Sequence, residues 1–419
     1  MKVFFTKVKA FLSRIKGKYL KFEEIFFNFL KNYMWIIVMA IAIAVSTIAK
    51  VYAFPFLSSD YHNFLCGWML KYKELGVHDG FGASLGDYTP FYNYFLCLFG
   101  VWFPEEGFVY AIKIFNIIFE LSFSTAVFLI VQKCFHKLNY SALAFSISLI
   151  IPSIIINGAF WGQCDIVFSS FVVWSFYFIL GKKYNLAMIF FSIAFSIKLQ
   201  AIFFFPFIFL LILKREIKIY HLLYIPIIYI GLAIPSLICG RPFGDIMSVY
   251  LTQTQEYNDR LSLSAPSVYA FFNNAFTTTF SYVPVIIFFV ITLSYVFYLY
   301  YKDMELNKEN LITIALISIL FSAYFLPHMH ERYFFLADLF AFIYLFIKKK
   351  GFALCVLINL ASITCCTRFL FGGLGDSNMW PGFDPIRVGA LFNLVAIVLL
   401  TIEMVKMPSK KIDDTITCN

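Results

Sequence analysis

Long apolar runs separated by short polar turns set the rhythm of this chain. Runs near 33–51, 108–132, 140–157, 166–180, 185–198, 200–213, 222–239, 283–301, 311–326, 333–347, 352–366 and 387–405 approach the roughly 17 to 25 residues of a membrane-spanning helix. The pattern predicts an all-α, polytopic transmembrane protein of about 12 spans. Between the first two runs lies SSDYHNFLCGWMLKYKELG, whose later part is amphipathic and suits a helix lying at the interface. PFYNYFLCLFGVWFP, after Thr89, is apolar enough to be a further span, and charge parity decides against that. If it crossed, the basic KCFHK at 133–137 would fall outside. With that run laid along the outer surface, KCFHK, GKK at 181–183, KREIK at 214–218, YKDMELNK at 301–308, KKKG at 348–351 and the KMPSKK tail all share the side of the basic N-terminus.

The N-terminal stretch to Lys31 mixes Phe4, Val8, Phe11 and Ile15 with Lys and Arg, as a basic helix on an anionic membrane face does. The next apolar run ends in bulky VYAFPF, with no small-residue cleavage site, so it is expected to be an uncleaved first span. This divides the chain into a basic amphipathic segment (1–31), a transmembrane catalytic domain (32–406) and a short cytoplasmic tail (407–419). Composition agrees: 61% of residues are hydrophobic and 14% charged, against roughly a quarter charged in soluble domains. The net charge of +9 sits in the turns and points to a lipid surface, not to nucleic acid. The nine cysteines are scattered, mostly inside apolar runs, without metal-site or disulfide spacing. Neither a Gly-rich phosphate loop nor a nucleotide-sized soluble domain is present, so ATP and nucleotide-sugars are not expected to drive the chemistry directly. Abundant Phe, Ile, Lys, Asn and Tyr suggest a bacterial plasma membrane as the setting.

Parity leaves nearly every remaining ionisable residue on the outer face. Asp60, after two serines, is either a helix N-cap or a general base at a water and lipid boundary. Asp87 in GDYTP is either turn chemistry or part of a site. In NGAFWGQCD, Trp161, Gln163 and Asp165 make either an aromatic belt beside a turn or a sugar-binding set with a stacking face. Lys198, flanked by apolar residues, either snorkels or has an anionic partner. The block HMHER, from His328 to Arg332, reads as a metal site, an internal salt-bridge network or a phosphate site in which Arg332 supplies a planar fork.

In order, SSDYHNFL, GDYTPFYNYFL, NGAFWGQCD, FSIKLQAIFFFP, LSAPSVYAFF and FLPHMHERYFFLAD resemble the bacterial membrane glycosyltransferases related to the GPI-anchor mannosyltransferases, within the GT-C superfamily. The resemblance covers about 58–340. It implies a multi-spanning helical fold whose first outer loop carries interfacial helices and a catalytic Asp, matched here by Asp60. It also implies a polyprenyl-phosphate sugar as donor, used on the outer face, with a glycan or glycolipid hydroxyl as acceptor. On that reading Asp60 deprotonates the acceptor, and Arg332 and Lys198, with His330 and Arg241, stabilise the leaving phosphate. Asp165, Gln163 and Trp161, with Asp87, Glu331, His328 and Gln200, hold sugar or acceptor hydroxyls. No nucleotide or metal cofactor is called for. The alternatives are a flippase or transporter of a lipid-linked saccharide, whose site would lie near the midplane between repeats that this sequence does not display, and a polysaccharide polymerase or ligase.

Overall fold

The apolar runs become helices in the computed structural model, which describes residues 2–255, 260–272, 282–302, 304–372 and 384–408. In chain order these are α1 (Lys2–Ala53), α2 (Cys66–Gly82), α3 (Pro90–Trp102), α4 (Phe108–Phe135), α5 (Leu138–Ser148), α6 (Pro152–Trp161), α7 (Asp165–Leu180) and α8 (Tyr184–Ile197). Next come α9 (Leu199–Leu213), α10 (Ile219–Ile238), α11 (Phe243–Gln255), α12 (Val283–Tyr301), α13 (Lys308–Phe325), α14 (Phe335–Lys348), α15 (Phe352–Phe371) and α16 (Pro385–Val405). The protein is all-α and has the helices of an integral membrane protein. Among the described residues seven helices are long and apolar enough to cross a bilayer, or eight if α5 and α6, bent by 41° at their junction, form one span. Helices α7, α8, α9 and α14 are shorter than that, each 14 to 16 residues. The predicted basic segment and first span form one unbroken 52-residue helix. The expected tail, 407–419, lies outside the described residues beyond Pro408, as does part of the expected outer loop 240–282.

At the centre stands α13, 83% buried along its apolar window, packed by α9, α12, α14 and α16. Around it α4, α7 and α8 pack in turn, while α1, α10 and α12 turn most of their apolar surface outward. Outward-facing Ile, Leu and Phe side chains have no water-soluble explanation and fit contact with lipid tails.

The helices share two ends, and the polar contacts sort themselves between them. At one end the basic turns touch each other. Lys308 donates to the carbonyl of Cys134 at 2.7 Å, Lys349 lies over the Phe135 ring at 4.0 Å, and Lys214 donates to the carbonyl of Tyr300 at 3.0 Å. Lys302 reaches the carbonyl of Met404 at 3.3 Å, and Lys348 pairs with Glu403 at 2.5 Å. At the other end Thr89 donates to the carbonyl of Ser196 at 2.7 Å, and the 260s segment pairs with the HMHER block. A short parallel ladder, β1 (Ser262–Leu263) on β2 (Met329–His330), makes that pairing. Both ends of α3 belong to this second end: Pro90 lies beside the Ser196–Ile197 corner, and Trp102 leads into the start of α4. Helix α3 therefore packs on α2 at that end and does not run to the basic one, as the charge parity required.

Candidate functional site

Asp60 sits past the break that follows α1, at the head of a wide π turn, Tyr61–Leu65. Its carboxylate does not cap that turn. Ser58 does, accepting from the Tyr61 backbone N–H at 3.2 Å and donating to the Trp161 carbonyl at 2.8 Å. The Asp60 side chain instead faces the end of α6, whose last seven residues, Ile155–Trp161, are also π-helical. Gly162, with φ of +76°, reverses the chain there and brings the Gln163 backbone N–H back to the Asn157 carbonyl at 3.1 Å. The outcome is three donors on one oxygen. Asp60 Oδ2 accepts from Trp161 Nε1 at 2.9 Å, Gln163 Nε2 at 2.6 Å and Arg332 Nη1 at 3.1 Å. Oδ1 has no hydrogen bond among the described residues and is not sealed from solvent.

Behind this group lies a second pair. Lys198, 5% exposed, is ion-paired with Asp165, 1% exposed, and Asn157 Nδ2 donates to Asp165 Oδ2 at 2.8 Å. The Tyr333 ring touches both cations, with Lys198 5.8 Å and Arg332 5.9 Å from its centroid. Lys198 thus has its anionic partner and does not snorkel. Glu331, buried, completes the group, 3.9 Å from Arg332 Nη1. Burial pushes its carboxyl up to about 7, against the opposing pull of Arg332. With Glu331 neutral, Asp60 and Asp165 balance Arg332 and Lys198.

Helix α4 supports both sides of the site with one stripe of buried polar residues. Lys113 donates to the carbonyls of Phe54 at 3.0 Å and Phe56 at 2.6 Å, fixing the chain just before Asp60. Asn116 donates to the Gln163 carbonyl at 2.9 Å. Glu120, one turn further, is ion-paired with Lys50 of α1. A Cβ at Gly158 would stand 2.4 Å from Glu120 Oε1, so a larger residue there would push on the carboxylate that pairs with Lys50.

Several expectations need correction. His330 offers little charge to a phosphate: burial first, then the neighbouring Arg332 and Lys198, lowers its pKa. Trp161 is neither a belt residue nor an open stacking face, being 1% exposed and stacked on Phe369 at 4.9 Å. Its indole N–H is what the site uses. Gln163 and Asp165 are likewise engaged inside the network, Gln163 also accepting from the Tyr88 hydroxyl at 3.3 Å. Arg241 stands apart on Ser84, at 2.9 Å, beside the α2 and α3 hairpin. His328 faces the Arg260 carbonyl at 2.5 Å, Asp87 is exposed, and the side-chain amide oxygen of Gln200 has no hydrogen bond among the described residues. The structure brings none of these four into contact with Asp60. Among the described residues no three His, Cys, Asp or Glu side chains are grouped to hold a metal.

Sequence reasoning missed Asn157, Asn116, Lys113, Lys50 and Glu120. A signal existed for the last three, since each is an ionisable residue inside or beside an apolar run. No protein-family model and no curated protein matches this chain.

Proposed function

We propose that the protein is an inverting glycosyltransferase that moves one sugar from a polyprenyl phosphate to an acceptor hydroxyl at the outer face of the membrane. The observation that carries the reading is the asymmetry of Asp60: three donors fix Oδ2, and Oδ1 remains accessible. A carboxylate so held is pre-organised as a general base, the kind of group whose contribution is about 10² to 10⁴-fold. The acceptor oxygen attacks the anomeric carbon as its proton passes to Oδ1. The bond from that carbon to the phosphate oxygen breaks, and its electron pair stays on the lipid phosphate. Arg332, which commits Nη1 to Asp60 and carries no hydrogen bond on Nη2 among the described residues, faces the developing charge, and Lys198 adds a fixed positive charge behind it. Trp161 and Gln163 position the base.

The orientation belongs to the same reading. Counting the bent α5 and α6 pair as one span and the shorter helices α7, α8, α9 and α14 as crossings gives twelve, with the basic end inside. An impermeant thiol reagent applied to intact cells then labels a cysteine placed at Asp87 and spares one placed at Lys182.

The test of function is product formation in detergent, where no membrane remains to be crossed. Purified protein, a panel of polyprenyl-phosphate sugars and mass spectrometry of the products distinguish an enzyme from a carrier. A new glycosidic bond made by wild type supports the reading, and lipid movement in vesicles without any product sinks it in favour of a flippase.

A further inference from the structure

Asp338 closes the HMHER stretch and has no role in the mechanism above. It lies on α14, fully buried. Ser362 donates to its Oδ1 at 2.8 Å and the Ser153 hydroxyl lies beside the carboxyl but donates to Asn359 Oδ1 at 3.4 Å, so Oδ2 has no hydrogen bond among the described residues. A buried carboxylate oxygen without a donor is costly. Two other residues lining the same small cavity also carry a sealed and unpartnered atom: Asn157 its Oδ1 and Arg332 its Nε. That cavity, about 10 Å³ and also lined by Ser153, Ser362 and Cys366, is of the size that holds one water.

The chemistry of the three atoms selects the occupant. A metal cation would suit the two oxygens and be repelled by the guanidinium N–H. An anion would suit the N–H and be repelled by the carboxylate. A water accepts from the guanidinium N–H and donates to Asn157 Oδ1, and it meets the Asp338 carboxyl as donor or acceptor, whichever form that group takes.

We infer that a single buried water binds between Arg332 Nε, Asn157 Oδ1 and Asp338 Oδ2, making Asp338 a positioning residue for Arg332. The guanidinium is then held from two sides, directly by Asp60 in front and through the water by Asp338 behind. The water also joins both ion pairs of the site, because Asn157 donates its other end to Asp165. Arg332 is thereby fixed in the plane from which Nη2 meets phosphate, which rests on the transferase reading. The water itself does not.

The two parts are tested separately. A cryo-EM map of wild type in lipid nanodiscs, at a resolution that shows ordered water, has a peak about 3 Å from each of the three atoms, and the peak is absent from Asp338→Leu. A wild-type map with well-defined side chains and no peak overturns the water, whatever the enzyme's activity. Steady-state kinetics with a polyprenyl-phosphate sugar test the positioning role. Asp338→Asn raises the donor KM about threefold to tenfold with little change in kcat, and adds nothing in an Arg332→Lys background. An equal effect of Asp338→Asn in both backgrounds, or a fall confined to kcat, overturns it.

Discussion

Two buried ion-pair groups lie close together along α4 and are built on opposite plans. Around Glu120, Lys50 and Lys113 every charge is met: carboxylate on ammonium, ammonium on carbonyls, with no sealed and unpartnered polar atom on any of the three. Around Asp60 the pairing is incomplete. Glu331 Oε1 and Arg332 Nε have no hydrogen bond among the described residues, Asp60 Oδ1 stays accessible, and carboxylates outnumber cations by one unless Glu331 is protonated. A closed group holds helices together, and an open one has valence left for something else. Burial of charge alone therefore does not mark a site in a membrane protein; unfinished pairing does.

The largest effect expected from this contrast is on catalysis. Asp60→Asn keeps the size of the side chain but takes no proton at neutral pH, so transfer falls about 10² to 10⁴-fold, read as product by mass spectrometry, while the protein still inserts. Equal product from both forms removes Asp60 from the chemistry.

The closed group should behave in reverse. Glu120→Leu strands the Lys50 ammonium and destabilises the fold by about 3–5 kcal/mol, and Lys50→Met added to it recovers most of the loss, because an apolar pair needs no partner. Thermal unfolding in detergent measures both. A Glu120→Leu protein of unchanged stability that no longer makes product would exchange the roles of the two groups.

Arg332→Lys ranks third. An ammonium cannot hold Asp60 and a phosphate at once in the geometry of a planar fork, so the donor KM rises roughly tenfold. A donor KM like that of wild type would put the phosphate elsewhere.

The smallest effect is a pH dependence confined to the open group. Burial raises the Glu331 pKa from 4.5 to about 7, so the folded state binds this proton more tightly than the unfolded chain. The resulting stability is fully present below pH 4.5 and is lost as pH rises to about 7. Glu331→Gln flattens that part of the curve of unfolding midpoint against pH, and an identical slope in both proteins would place the ionisation on another group.

The fold was legible wherever the sequence carried it locally. The run read as 283–301 is α12, Val283–Tyr301, to the residue, and charge parity kept α3 at one end without any knowledge of packing. Local signals also nominated Asp60, Arg332, Lys198 and the Trp161 to Asp165 stretch. They could not assign partners. Lys50 and Glu120 are 70 positions apart and Arg332 lies 272 from Asp60, separations at which periodicity says nothing. Trp161 could not be placed for the same reason: a ring looks the same in a sequence whether a neighbour covers it or not.

The two π turns that meet at the site carry a consequence for how the gene can change. Tyr61–Leu65 comes directly after Asp60, and Ile155–Trp161 ends on the residue that binds it. A π turn is equivalent to an α-helix carrying one residue too many. Deleting any single codon within 155–161 would let the turn relax to the regular pitch and swing the downstream chain by about 100°, carrying Trp161 and Gln163 off Asp60. Substitutions in these turns alter one side chain, whereas a one-residue deletion or insertion rephases the whole site. Length, more than identity, is the property these two short stretches encode.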